Sequence, residues 1–239
     1  MFDIIIIGAG IVGLAIAKSI AEKTHKSVLV IEKEESFGRG ISSRNSEVIH
    51  SGIYYEPESL KIKYCSRGRD MTYAFCKQYN IWVNRCGKLV VGKSHQSDDL
   101  ELLYKNAQRN NVPDIQILDK SEISALEPKI EADIALQVGC TGIGSAHDLM
   151  AAFYKISQEG DHDYLFKSKV VGADSKSNGY EISIENAQGE LEKVSAEWVI
   201  NAAGLESDMV AQMLGGDYPT LRYSKGCYYK LSSKWRGAF

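Results

Sequence analysis

IIIIGAGIVG at residues 4–13 runs on into LAIAKSIAEK at 14–23 and, after a short polar turn, VLVIE at 28–32. Four consecutive isoleucines followed by glycine read as a strand buried on both faces. Leu14, Ala17 and Ala21 then share one face of a helix to about Lys23, and Val28 to Ile31 forms a second buried strand ending at Glu32. The unit is βαβ, with GxGxxG at its first corner. Gly8 permits the tight turn, Gly10 lets backbone approach a pyrophosphate, and Gly13 lets the helix pack closely on the sheet. Amides at the helix N-terminus favour phosphate by roughly 0.3–1 kcal/mol per charge, and up to ~2 when partly buried. Glu32 lies nineteen residues past Gly13, where a carboxylate accepts ribose hydroxyls and repels a 2′-phosphate. This points to an ADP-containing cofactor.

The apolar run from Ile4 to Ala21 is neither a signal peptide nor a membrane span. Asp3 stands where a basic flank belongs, Lys18 interrupts the run, and the glycines are spaced for a phosphate turn.

Beyond Glu32 the alternation of strand and helix stops. SFGRGISSRNSEVIHSG at 36–52 reads as an extended loop. Pro57 suits the first turn of a helix running to about Tyr79, with Leu60, Tyr64, Met71 and Phe75 as its inner face. A strand is expected over 88–91, helices over 98–109 and 121–126, and a helix capped near Ser145 over 146–157 with Gly160 beyond its end. The runs 166–174, 180–186 and 190–195, separated by Asn178-Gly179 and Gln188-Gly189, read as an antiparallel meander. Tyr180, Ile182 and Ile184 alternate there with Glu181, Ser183 and Glu185, so one face is buried. A buried strand at 198–201 closes in Ala202-Ala203-Gly204.

With 44% apolar and 25% charged residues, the 239-residue chain is ordinary for a globular protein of one or two domains. A net charge of -3 gives no reason to expect nucleic acid as a partner. Cys65, Cys76, Cys86, Cys140 and Cys227 show no CxxC spacing, so no metal site is expected, and they read as reduced thiols of a cytoplasmic protein.

GxGxxG alone does not choose between NAD and FAD. A nicotinamide enzyme continues its βαβ units after the acidic residue, whereas this chain enters a polar loop. The meander, the returning strand and the second glycine corner, VINAAG at 199–204, are what a two-part flavin domain requires. The fold class is therefore α/β: an FAD-binding, Rossmann-like domain of the glutathione-reductase type with a β-meander, plus an incomplete α+β substrate domain. The cofactor domain is placed at 1–82 and 150–218, the substrate domain at 83–149 and 219–239.

Taken with the N-terminal fingerprint, SSRNSEVIHSGIYY at 42–55, PESLKIKYC at 57–65, TGIGSAHDLM at 141–150 and VINAAGLESD at 199–208, the chain resembles the L-2-hydroxyglutarate dehydrogenase/oxidase group of the D-amino-acid-oxidase-like flavoproteins. The resemblance covers essentially the whole chain. The glycine corners are generic to the superfamily, and NSEVIHSGIYY with the LKIKYC helix is the more specific part.

That resemblance implies FAD-dependent oxidation of a small 2-hydroxy acid, L-2-hydroxyglutarate favoured, with oxygen or a quinone taking the electrons. Gly8, Gly10, Ile11, Val12, Gly13, Glu32 and Lys33 would hold the ADP half of FAD. Ser42, Ser43, Arg44, Asn45 and Ser46 would follow the pyrophosphate, ribityl chain and flavin edge. Val170 would meet adenine through its backbone, with Ala202, Ala203 and Gly204 near the pyrophosphate. His50 would face the flavin, with Tyr54 and Tyr55 on the substrate side. As the catalytic candidate, His50 is read as general base, as a positioning group, or as a point of covalent flavin attachment. His25, His95, His147 and His162 read as structural or solvated.

Two departures accompany the resemblance. The group has an acidic residue within the segment that here reads Gly144-Ser145-Ala146, and it continues well beyond KGCYYKLSSKWRGAF at 225–239. The chain is therefore expected to be a fragment, or one half of a split protein. A partner chain or self-association would then supply the rest, and peripheral attachment to the inner face of a membrane stays open. An amine or amino-acid oxidase and a non-catalytic remnant are the alternatives.

Overall fold

The computed structural model describes residues 1–217, 219–228 and 232–233. The chain forms two compact units, Met1–Ser46 with Ala146–Lys225, and Glu47–Ser145 with Gly226–Phe239. Tyr218 and residues 229–231 and 234–239 of the expected domain ranges lie outside the described residues.

The first unit opens with β1 (Phe2–Ile7), α1 (Ile11–Lys23) and β2 (Val28–Ile31). β1 lies centrally, parallel to β2, so its isoleucines divide between the two faces of the sheet. Ile5 and Ile7 enter one hydrophobic cluster, and Ile6 enters another with Leu14 and Ala17 of α1.

The second unit follows. It contains β3 (Val48–Ile49), α2 (Leu60–Gln78), β4 (Val83–Asn84), β5 (Leu89–Gly92), α3 (Ser97–Arg109), β6 (Ile115–Asp119), α4 (Lys120–Leu126), β7 (Ile134–Val138) and β8 (Gly142–Gly144). Two antiparallel sheets result, in the orders β3-β8-β4 and β5-β7-β6. α4 starts at a capping box: Asp119 Oδ1 accepts from the Ser121 and Glu122 amides at 2.8 and 2.9 Å, and Glu122 Oε2 accepts from the Asp119 amide. Strands β6 and β7 were not expected from the sequence. β6 is a five-residue run between two helices with no glycine beside it, and β7, although Gly139 follows it, is as short and has no alternation of polar and apolar residues.

The chain then returns to the first unit with α5 (Ala146–Ser157), β9 (His162–Leu165), β10 (Lys169–Lys176), β11 (Gly179–Glu185), β12 (Leu191–Asn201) and α6 (Ser207–Met213). The large sheet has the order β10-β11-β12-β1-β2-β9. Met150 of α5 joins the Ile6 cluster, and Val210 of α6 joins the Ile5 cluster on the opposite face. Ile182 and Ile184 are buried as their alternation requires, while Glu181 on the other face pairs with Lys193 at 2.7 Å.

Three expectations are corrected. The runs 190–195 and 198–201 are one eleven-residue strand, β12. It is antiparallel to β11 over 191–196 and parallel to β1 over 196–201, so it joins the meander to the core without a break. Pro57 precedes helix α2 rather than opening it, because Ser59 is the N-cap and its Oγ accepts from the Ile62 amide. The inner face of α2 is Ile62, Arg69 and Cys76, not Leu60, Tyr64, Met71 and Phe75. Leu60 is 68% and Met71 59% exposed, and Phe75 is half-buried. The Arg69 guanidinium bonds the carboxylate of Asp70 and reaches Cys140 Sγ at 3.6 Å, and Tyr73 Oη donates to Cys140 O at 3.1 Å. These polar anchors orient the helix against its apolar stripe.

The boundaries between the compact units, after residues 46, 145 and 225, differ from the sequence-based divisions at 82/83, 149/150 and 218/219. α2 accounts for most of the difference, since its anchors at Arg69 and Tyr73 tie it to Cys140 in the second unit. The cysteines are free thiols. No group of metal-ligating side chains occurs among the described residues, and no helix among them is long and apolar enough to cross a membrane.

Candidate functional site

The two glycine corners of the first unit lie side by side. β1 and β12 run parallel with Ile7 opposite Asn201, so both strands end at the same edge. The Ala202 amide donates to Ile7 O at 2.9 Å, and a Cβ on Gly8 would stand 2.5 Å from Ala202 O. Gly8 has φ +105°, outside the ordinary range of other residues. Gly13 is held more tightly, since a Cβ there would meet Gly8 O at 1.9 Å. Its role is to let α1 cross the turn, and it does not line the cavity formed beside it.

That cavity has a volume of about 410 Å³, within the roughly 300–1,000 Å³ of small-molecule sites. Ile7, Ile31, Val170 and Val210 supply apolar wall, and Gly10, Ile11 and Val12 bring the start of α1 to its edge. Ala202, Ala203 and Gly204 line it from the second corner. Asn201 shapes that corner: its Oδ1 accepts from the Ala203 amide at 3.2 Å, and its Nδ2 donates to Ser207 O at 2.7 Å.

Glu32 also lines the cavity. One carboxylate oxygen accepts from the Ala9 amide at 2.8 Å and the other from the Glu34 amide at 3.0 Å. Each oxygen retains acceptor capacity for a ribose hydroxyl. Lys33, placed by the sequence beside the cofactor, lines the same cavity and forms an ion pair with Glu206. Ser42 Oγ accepts from the Ile11 amide at 2.9 Å, occupying one of the three helix-start amides that have no partner within the helix.

Ser43, Arg44, Asn45 and Ser46 are exposed and lie outside the lining. Arg44 bonds the carbonyl and hydroxyl of Ser43, and Asn45 Nδ2 donates to Ser42 O at 2.7 Å. The sequence reading missed Gly40, Ile41, Ser168, Lys169, Leu205 and Glu206, which also line the cavity. The last two lie just past VINAAG and could have been found by extending that corner into its 3-10 turn, Gly204–Glu206.

His50, Tyr54 and Tyr55 belong to the second unit. Their loop is fastened from α3: Asn106 Nδ2 donates to Ile53 O and Tyr55 O at 2.8 and 2.9 Å, and Asn110 Nδ2 donates to Gly52 O and Tyr55 O at 3.1 and 2.8 Å. Ile53 is buried in the core of that unit. The sequence offered no local sign of this clamp, because its halves are more than fifty residues apart. The His50 ring keeps access to solvent, yet desolvation and then the nearby Lys88 charge hold its pKa below the ordinary histidine value. It is thereby biased towards the neutral imidazole, the form able to accept a proton. Burial pushes the Cys65 and Cys140 thiols up, away from thiolate chemistry.

A mixed sheet whose parallel strands end in paired glycine corners, with an acidic strand end and a cavity between them, defines a dinucleotide-dependent oxidoreductase. The chain belongs to the FAD dependent oxidoreductase family, whose model matches residues 3–238, and FAD is the cofactor of that family. It is 34% identical over 249 residues to the mitochondrial L-2-hydroxyglutarate dehydrogenase of Homo sapiens, covering 95% of this chain and 53% of that protein. The corresponding proteins of Bos taurus and Arabidopsis thaliana are 35% and 31% identical, over 94% and 96% of this chain and 53% and 54% of theirs. The chain thus spans about half the length of the curated relatives it matches.

Among solved structures, an FAD-bound L-alpha-glycerophosphate oxidase from Mycoplasma pneumoniae superposes with a TM-score of 0.80 at 23% identity, over 89% of this chain and 56% of that one. A glycine oxidase from Geobacillus kaustophilus gives 0.78 at 22%, over 90% and 58%. At these identities the likeness is one of fold.

Proposed function

We propose that the first unit binds FAD in the cavity between its glycine corners, and that the chain serves oxidation of a small 2-hydroxy acid, L-2-hydroxyglutarate to 2-oxoglutarate being favoured. The observation that carries the cofactor half is the shared edge of β1 and β12, which puts both corners and Glu32 around one cavity. The substrate half is supported by relatives named for L-2-hydroxyglutarate, similar over nearly the whole of this chain.

In this reading the start of α1 would hold the pyrophosphate, Glu32 would accept hydrogen bonds from the adenosine ribose, and Val170 and Ile31 would line the adenine end. Ser43, Arg44, Asn45 and Ser46 serve the flavin side of the cofactor. His50, on the second unit, would serve as the base. When bound, FAD supplies a two-electron acceptor for the hydrogen leaving C2 as hydride. His50, neutral at physiological pH, takes the proton of the 2-hydroxyl, so the alcohol carbon becomes a carbonyl and two electrons leave the substrate. Oxygen or a quinone would take the electrons.

The test is anaerobic mixing of the FAD-reconstituted chain with L-2-hydroxyglutarate, glycine, sarcosine and a D-amino acid in turn. Bleaching of the flavin by the hydroxy acid alone is expected. Bleaching by an amine instead would transfer the reading to amino-acid oxidation. A colourless protein that FAD cannot reconstitute would mark a non-catalytic chain.

A further inference from the structure

Lys88 carries a positive charge that pairs with no carboxylate among the described residues and does not line the cofactor cavity. Its backbone is fixed: the Lys88 amide donates to Val138 O at 3.2 Å, and its carbonyl accepts from the Val138 amide at 2.8 Å. The ammonium lies 4.5 Å from the centroid of the Tyr54 ring, well inside cation–π range. Elsewhere in the same unit, Lys105 pairs with Glu101 and Lys120 with Asp133, while Lys61 and Lys63, which like Lys88 lie over tyrosine rings, are exposed. Lys88 has no carboxylate within 4.0 Å among the described residues, although it is half-buried.

Its surroundings are those of an anion site beside a base. Tyr54 and His50 sit on the loop that Asn106 and Asn110 clamp, and Ile53 between them is locked in the core. Lys88 meets that loop at the Tyr54 ring, and after desolvation its charge is the second cause that holds the His50 pKa below the ordinary value. Cys65 Sγ lies against His50 O at 3.4 Å, and burial keeps it a neutral thiol. A half-buried ammonium without a counter-ion gains most from an incoming anion, since part of its desolvation is already met.

We infer that Lys88 is a specificity-determining residue that receives a carboxylate of the substrate, set beside Tyr54 and His50. This rests on the reading of the His50 loop as the substrate side. It has a mechanistic consequence. A bound carboxylate neutralises the Lys88 charge, which otherwise opposes proton uptake by His50. Substrate binding therefore strengthens the base at the step where a proton must be accepted.

The test uses the full chain reconstituted with FAD, as wild type, Lys88→Met and Lys88→Arg, each checked for an unchanged thermal midpoint. The His50 ring is titrated by NMR with and without glutarate, an unreactive dicarboxylate. In the wild type, saturating glutarate should raise the His50 midpoint. In Lys88→Met the midpoint should already be raised and glutarate should add nothing, while Lys88→Arg should follow the wild type. KM for L-2-hydroxyglutarate should rise about ten- to a hundredfold in Lys88→Met, with a smaller change in kcat. A wild-type titration that glutarate leaves unmoved, or that moves equally in Lys88→Met, overturns the inference. A wild type that oxidises no 2-hydroxy acid sinks the proposed reaction, while the glutarate titration still decides whether Lys88 holds a carboxylate.

Discussion

The two units build their sites by different means. In the first, recognition is backbone work: strand ends, glycine corners and a helix start surround the cavity, and side chains such as Glu32 and Asn201 mainly brace the turns. In the second, the candidate chemistry sits on a loop whose position depends on side chains from α3 and on a cation from the strand side. A site made from main chain tolerates almost no added atoms, whereas one made from side chains can be retuned one contact at a time. If that contrast holds, substitutions in the first unit should abolish cofactor retention, and those in the second should change rate and KM while flavin stays bound.

The largest effect is expected at Gly13. Adding one methyl there sets a carbon 1.9 Å from Gly8 O, backbone against backbone, with no side chain able to yield. Gly13→Ala should cost about 3 kcal/mol or more, the upper end for overpacking. Thermal unfolding and flavin content after purification both report it. Retained flavin at an unchanged midpoint would break the account of the turn.

His50→Ala should leave flavin content intact while slowing flavin reduction by roughly 10²–10⁴. Unchanged single-turnover reduction would remove the base role. The pH dependence has a definite sign. The neutral imidazole is the active form and its pKa is held below the usual value, by desolvation first and Lys88 second. The rate should therefore rise with pH through a midpoint below the ordinary ~6.5 of histidine. Lys88→Met should move that midpoint upwards.

Glu32→Gln should act on the cofactor side alone. The amide keeps the shape but replaces one acceptor by a donor, which then faces either the Ala9 or the Glu34 amide. The loss should be about 1–3 kcal/mol, read as weaker FAD affinity by fluorescence titration, with the reduction rate of the flavin-saturated enzyme little changed. A shift in that rate with affinity unchanged would blur the division of labour between the units.

The same contrast explains what the sequence revealed. GAGIVG, Glu32 and VINAAG were legible because backbone recognition leaves marks in residue type: glycine where a Cβ cannot go, and an acid at a strand end. The alternation Tyr180, Ile182, Ile184 marked the meander for a similar reason, since one sheet face is buried. β9, with the sequence HDYL, was hidden because polar residues occupy a short parallel strand at the sheet edge. Lys88, Asn106 and Asn110 were hidden more deeply. Each has an unremarkable local context, and its meaning lies in a loop that other parts of the chain bring to it.

The clamp offers a milder perturbation. Asn106→Ala removes donors to Ile53 O and Tyr55 O, while Asn110 still holds Tyr55 O. At about 0.5–1.5 kcal/mol for a typical hydrogen bond, overall stability should fall modestly and flavin content should not. The loop amides from Gly52 to Tyr55 should exchange faster with deuterium. Equal protection in the variant would show that Ile53 alone holds the loop.

The smallest expected effect concerns α2, where periodicity and structure disagree. Leu60 and Met71 belonged to the expected inner face with Tyr64 and Phe75, yet both are exposed, and Ile62 and Arg69 are each 7% exposed. Exposed positions without special contacts usually change stability by no more than about 0.5 kcal/mol, so Leu60→Gln and Met71→Gln should leave the thermal midpoint of this chain nearly unmoved. Ile62→Ala should lower it clearly, because it empties a packed position. A reversed order would mean that the apolar stripe, and not the Arg69–Cys140 anchor, sets the helix's rotation. The second unit would then have been readable from hydrophobic spacing as directly as the first was from its glycines.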